Sequence, residues 1–130
     1  MKWDVYNEQC PTRIVLDRIA DKWSVLIVGS LVNKTKRCGE WRREIGGVSQ
    51  KMLTQTLRGL ERDGLVVRIV YASVPPKVEY SLTDLGGTLV HILDPIRKWS
   101  EHHIEDVLKA RGDYDAKETE TSTSEEGISC

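Results

Sequence analysis

Apolar residues recur along this chain first with a helical period, then with an extended one, then helically again. After Cys10-Pro11, the residues Ile14, Val15, Ile19 and Trp23 repeat at helical spacing. Pro11 stands where a first helical turn tolerates it, because its missing N–H would be unpaired there anyway. The stretch Trp23-Ser-Val-Leu-Ile-Val-Gly-Ser-Leu-Val32 is apolar almost throughout and too short for a bilayer, so it predicts a buried core helix. Asn33-Lys-Thr-Lys36 breaks it with polar residues, and a short third helix fits Gly39–Ile45, stopped by Gly46-Gly47.

The fourth helix has the clearest signals. Ser49 is an N-cap residue whose hydroxyl accepts a free N–H of the first turn. Leu53, Leu57 and Leu60 follow at i, i+4 and i+7 on one face, and Asp63-Gly64 supplies a left-handed stop. The period then becomes extended. Leu65–Tyr71 is rich in β-branched residues, Ala72–Lys77 holds Pro75-Pro76, and Val78–Leu82 alternates, which predicts a hairpin whose prolines lie outside the ladder. Thr83 and Asp84 open another helix carrying Leu85, Leu89, Ile92, Leu93, Ile96 and Trp99 and running to about Leu108, kinked or broken at Pro95. Residues 113–130 lack an apolar period, so the chain is expected to divide into a folded domain over 1–112 and an acidic, disordered tail over 113–130. The predicted class is α+β, mostly α, in the element order of a winged helix-turn-helix.

Charge sharpens this picture only when it is resolved along the chain. The formal net charge of −1 argues for no partner. Residues 113–130, however, hold six acids against one base, while Lys34–Lys77 holds ten bases against four acids. A basic middle cancelled by an acidic end is the distribution to weigh for nucleic acid. There is no apolar run long enough for a membrane span and no signal-peptide core after Met1, so a cytoplasmic protein is expected. Cys10, Cys38 and Cys130 are odd in number and far apart, which indicates neither a zinc site nor a disulfide framework. The adjacent pair His102-His103 points in two directions on a helix and belongs to no metal motif. No nucleophile–base pair, phosphate loop or cofactor motif argues for an enzyme.

With Leu53, Leu57 and Leu60 inward, Lys51, Gln55, Arg58 and Arg62 fall on the opposite side, flanked by Thr54. Arg and Lys reach guanine O6/N7 or phosphate, and Gln pairs with adenine N6/N7. Recognition helices offer their first residues to base edges, which selects Ser49, Gln50, Lys51, Thr54 and Gln55 for bases and Arg58 and Arg62 for phosphates. A basic polar face alone is equally the solvated side of any surface helix. Here no acid interrupts Ser49–Leu60, and the hairpin that follows carries Arg68 and Lys77.

Several motifs occur in order and in register: Cys10-Pro-Thr, Ile19-Ala-Asp-Lys-Trp23, Arg37-Cys-Gly-Glu-Trp-Arg-Arg43, Gly47-Val-Ser-Gln-Lys-Met-Leu-Thr-Gln-Thr-Leu-Arg-Gly-Leu-Glu61, Asp63-Gly-Leu and Val74-Pro-Pro-Lys-Val-Glu-Tyr-Ser-Leu-Thr83. From Cys10 to Ser100 the chain resembles the HxlR-type transcription regulators, winged-helix relatives of the MarR regulators. The resemblance implies a prokaryotic homodimer on an inverted-repeat, double-stranded DNA operator, with dimer contacts from the N-terminal segment and the C-terminal helix. The chain departs from the family pattern at Cys38 and Trp41, where Arg-Phe-Gly-Glu-Leu is usual, and it contains no Phe. A lost aromatic and a gained one three residues on read as a compensating swap, with Cys38 a small core residue.

Cys10 precedes a helix start, whose dipole favours a thiolate. The resemblance implies a sensor of oxidants or electrophiles at this position; packing at a dimer interface is the plainer alternative. Two other readings stay open: a winged-helix module that binds protein, and a regulator answering a small ligand at the dimer interface, to which Trp23 and Trp99 would contribute.

Overall fold

The computed structural model describes residues 2–121. Its elements are α1 (Thr12–Ala20), α2 (Lys22–Ser30), α3 (Cys38–Glu44), α4 (Gln50–Arg62), β1 (Val66–Tyr71), β2 (Lys77–Leu82) and α5 (Asp84–Thr121). The chain divides into two compact units, Met1–Pro95 and Ile96–Cys130.

In the first unit the apolar faces anticipated from the sequence meet in one core. Ile27, Val28 and Leu31 come from the α2 region, Trp41 from α3, Leu53, Leu57 and Leu60 from α4, and Leu89 and Leu93 from α5. Trp41 is fully buried; its Nε1–H donates to Ser30 Oγ at 2.7 Å, and that hydroxyl donates to the Ile27 carbonyl at 2.7 Å. Its ring tilts at 58° to that of Tyr80, with centroids 5.8 Å apart. Cys38, half-buried, packs against this core three residues before the buried Trp41.

Both ends of α4 are set by local chemistry. Ser49 Oγ accepts from the Met52 amide at 3.1 Å. At the other end Leu65 N–H donates to the Leu60 carbonyl and Gly64 N–H to that of Glu61, the paired bonds of a Schellman stop. Gly64 has φ +75°, a left-handed conformation that a side chain would strain. The chain thereby leaves α4 directly into β1.

β1 and β2 pair antiparallel from Val66↔Leu82 to Tyr71↔Lys77, and Pro75 and Pro76 lie in the loop between them. Lys36 adds a short third partner at the base, exchanging two backbone hydrogen bonds with Tyr80 at 2.8 and 2.9 Å. The Lys36 ammonium is itself buried and pairs with Glu44 at the end of α3. This ribbon on a helical body is the wing of a winged helix-turn-helix.

The C-terminal expectation needs correction. α5 is helical without interruption through Pro95, which falls at the boundary between the units instead of between two helices. In the second unit the helix continues past Leu108 to Thr121, into the segment expected to be disordered. Residues such as Lys109, Ala110, Arg111, Ala116, Lys117 and Glu118 are strong helix formers, and local propensity sustains a helix where no apolar period exists. Residues 122–130, including Cys130, lie outside the described residues. Within this unit Arg97 pairs with Glu101 at 2.5 Å, and the Trp99 ring lies 4.7 Å from that of His103.

Candidate nucleic-acid interface

α4 turns its leucines into the core and leaves a continuous polar side. Lys51, Gln55, Arg58 and Arg62 are all exposed, as their helical spacing requires, and Ser49 and Gln50 are exposed at the entry. Lys51, Arg58 and Arg62 make no ion pair among the described residues. Their charge is therefore free to meet an anion from outside the chain.

The N-terminal residues are less free than the spacing alone implies. Ser49 Oγ is engaged as the helix cap, with one of its two lone pairs taken by the Met52 amide. Gln50 Nε2 donates to Thr54 Oγ1 at 3.1 Å, and Thr54 is half-buried. The two side chains with full reach from this end are Lys51 and Gln55.

The wing contributes its two predicted bases unequally. Arg68 is exposed and unpaired among the described residues, and it lies near enough to Cys38 to favour the thiolate there, although burial wins and pushes that thiol up. Lys77 is already engaged: its ammonium pairs with Glu79 at 2.8 Å and sits 5.1 Å from the centre of the Tyr71 ring. Hydrogen bonding from Lys77 holds the Glu79 carboxyl below its usual range. A cation so neutralised offers less to a phosphate than Arg68 does.

Two further exposed bases lie on the helix that precedes α4. Arg42 and Arg43 occupy the last turn of α3, are exposed, and form no ion pair among the described residues. The first helix of a helix-turn-helix crosses the phosphate backbone, so bases there hold phosphate. Their signal was the Trp41-Arg42-Arg43 sequence immediately before the turn into Ser49.

Cys10 is 7% exposed, just ahead of α1. Thr12 Oγ1–H donates to its sulfur at 3.1 Å. That bond, seconded by the Thr12 amide, lowers the thiol's pKa against the opposing effect of burial; Arg13 adds a smaller coulombic share. The Thr12 hydroxyl thus acts beside the amide at the start of α1 in favouring the thiolate. Among the described residues no group of His, Cys, Asp and Glu is placed to hold a metal, and no helix is long and apolar enough to cross a membrane.

The comparisons with known proteins agree with this fold. The HxlR-like helix-turn-helix family profile matches residues 18–107. The HTH-type transcriptional regulator YtfH of Escherichia coli (strain K12) is 45% identical over 108 residues, covering 83% of this chain and 86% of the relative. The solved structure of the YtfH regulator from Salmonella typhimurium matches with a TM-score of 0.79 at 42% identity, over 85% of this chain and 99% of that one. The redox regulator HypR in its oxidised form matches with a TM-score of 0.66 at 45% identity, over 72% of this chain and 96% of that one. The relatives are regulators and not enzymes, and the chain belongs to the HxlR-like helix-turn-helix family of transcriptional regulators.

Proposed function

We propose that this protein is a cytoplasmic homodimer that binds an inverted-repeat DNA operator, with α4 in the major groove and the β1–β2 wing on the flanking backbone. The observation that carries the reading is the unpaired, exposed row Lys51, Gln55, Arg58 and Arg62 on a helix whose opposite face is fully buried. Lys51 and Gln55 read base edges, with Ser49, Gln50 and Thr54 shaping the helix entry. Arg58, Arg62 and Arg68 hold phosphate, joined by Arg42 and Arg43, and Lys77 contributes least. An outer face on α4 of this composition disfavours a protein-binding module, which would present apolar residues there.

The test is a titration of duplex from the chain's own upstream region. Lys51→Ala/Arg58→Ala is expected to lose roughly a hundredfold in affinity, since each good base contact carries about 1–3 kcal/mol. The log–log salt slope should fall by about 1 for the phosphate contact removed. Full-strength binding by the double variant would sink the assigned face, and a footprint without two symmetric halves would sink the dimer.

Cys10 is the proposed redox or electrophile sensor. Its support is the thiolate-favouring Thr12 contact together with the likeness to HypR, a redox regulator. Cys10→Ser should remove any change in operator affinity caused by diamide or a quinone while leaving untreated binding intact; an undiminished response rejects the assignment. One observation favours a second input. A largely apolar pocket of about 420 Å³ is lined by Ile14 and Val15 of α1, Leu65, and Leu85, Leu89 and Ile92 of α5. An apolar effector seated there would act on the Cys10→Ser protein as strongly as on the wild type.

A further inference from the structure

Gly59 is out of character in α4. Glycine is the poorest helix former after proline, and this one sits inside the last turns of a helix whose aim matters. Its backbone needs no glycine, because positive φ occurs only at Gly47, Gly64 and Asn33 among the described residues. The space where a side chain would stand is occupied. A Cβ at Gly59 would lie 2.7 Å from Arg18 Nη1 and 2.8 Å from its Cζ, well inside contact distance.

Arg18 comes from the last turn of α1. Its Nε donates to Asp63 Oδ2 at 2.5 Å, and Asp63 is the C-cap of α4. The two side chains are 25% and 20% exposed, so the pair is largely sheltered from solvent. The guanidinium therefore crosses the end of α4, lying against bare backbone at Gly59 and clamping the cap. A carboxylate at a helix C-terminus is repelled by the partial negative charge there, and a cation held over the same turn reverses that repulsion.

We propose that Arg18 is the positioning residue through which α1 sets the aim of α4, and that Gly59 is glycine in order to seat it. The inference rests on the reading of α4 as the DNA-contacting helix. It also gives the N-terminal segment a route to that helix: Cys10 lies just ahead of the short helix whose last turn carries Arg18, so a displacement of α1 carries the clamp with it.

The experiment is a double-mutant cycle of Gly59→Ala and Arg18→Ala, read by thermal unfolding and by operator titration. In the Arg18→Ala background, alanine at 59 meets no guanidinium and should raise Tm by roughly 4 °C, the gain in helix propensity alone. In the wild-type background the same alanine evicts Arg18, and Tm should fall or stay level. Operator affinity should fall about tenfold in both single variants, the equivalent of one charge-assisted contact, with the salt slope unchanged because no phosphate contact is removed. Arg18→Lys, which keeps the charge without the planar fork, should restore part of the affinity. Equal Tm gains in the two backgrounds overturn the seat, whether or not the duplex binds. A coupled Tm cycle with operator affinity unaltered by Arg18→Ala overturns the positioning role. A salt slope lowered by Arg18→Ala makes it a phosphate ligand and overturns that role too.

Discussion

Trp41→Ala should cost about 3–5 kcal/mol of unfolding free energy, the range for truncating a buried large aromatic. The residue is 0% exposed and central to the core of the first unit. Its loss removes the tilted contact with Tyr80 and leaves Ser30 Oγ without its donor. Against a total stability of roughly 5–15 kcal/mol, a change of that size leaves little margin. Denaturant titration measures it directly, and a loss below about 1 kcal/mol would show that Trp41 does not organise the core. Trp41→Phe separates the two contributions. It retains most of the packing and gives up the Nε1–H bond, so it should cost no more than about 2 kcal/mol.

The second large effect is at Gly86, in the first turn of α5. A Cβ there would collide with the Leu65 carbonyl oxygen and come within 3.0 Å of Leu82 Cδ2. The Leu82 methyl can move aside, but the Leu65 backbone does not yield easily. The Leu65 carbonyl accepts the Thr83 amide at 3.1 Å, Thr83 Oγ1–H donates to the Gly64 carbonyl at 2.6 Å, and the same oxygen accepts from the Gly86 amide at 3.0 Å. These bonds fix the start of α5 to the end of α4. Alanine would gain about 1 kcal/mol of helix propensity, but the backbone clash should outweigh it and leave a net loss of roughly 1–3 kcal/mol. A stabilised Gly86→Ala protein would mean that this junction is loose.

Gly59 and Gly86 also mark where sequence reading stops. The faces of α4, the hairpin and the core leucines were legible because burial imposes a period, and a period is visible in one dimension. The caps at Ser49 and Gly64 were legible because their chemistry is local. Neither glycine had a visible reason, since what fills the space beside each one comes from a distant segment: Arg18 in one case, Leu65 in the other. The same holds for the proposed DNA face. Spacing placed Lys51, Arg58 and Arg62 outside, but could not show that Lys77 is paired with Glu79 or that Gln50 is tied to Thr54. The end of α5 is illegible for a different reason: it carries no apolar period, and its alanine, lysine, arginine and glutamate residues favour a helix that continues from the turns before it.

The wing is secured on one side only. At its base Val66 and Tyr80 are buried and Tyr80 is stitched to Lys36, while Val70, Tyr71 and Val74 stand in solvent. Beyond the Arg68–Tyr80 pair, three residues at about 3.3 Å each carry the strand roughly 10 Å along the ribbon from that anchorage. Such a ribbon is a cantilever: residues at its free end can be exchanged, lengthened or shortened with no repacking of the interior. Divergence in the sequence of the wing tip is therefore uncoupled from divergence in stability, and within this architecture the tip is where new surface chemistry can accumulate at least cost to the fold.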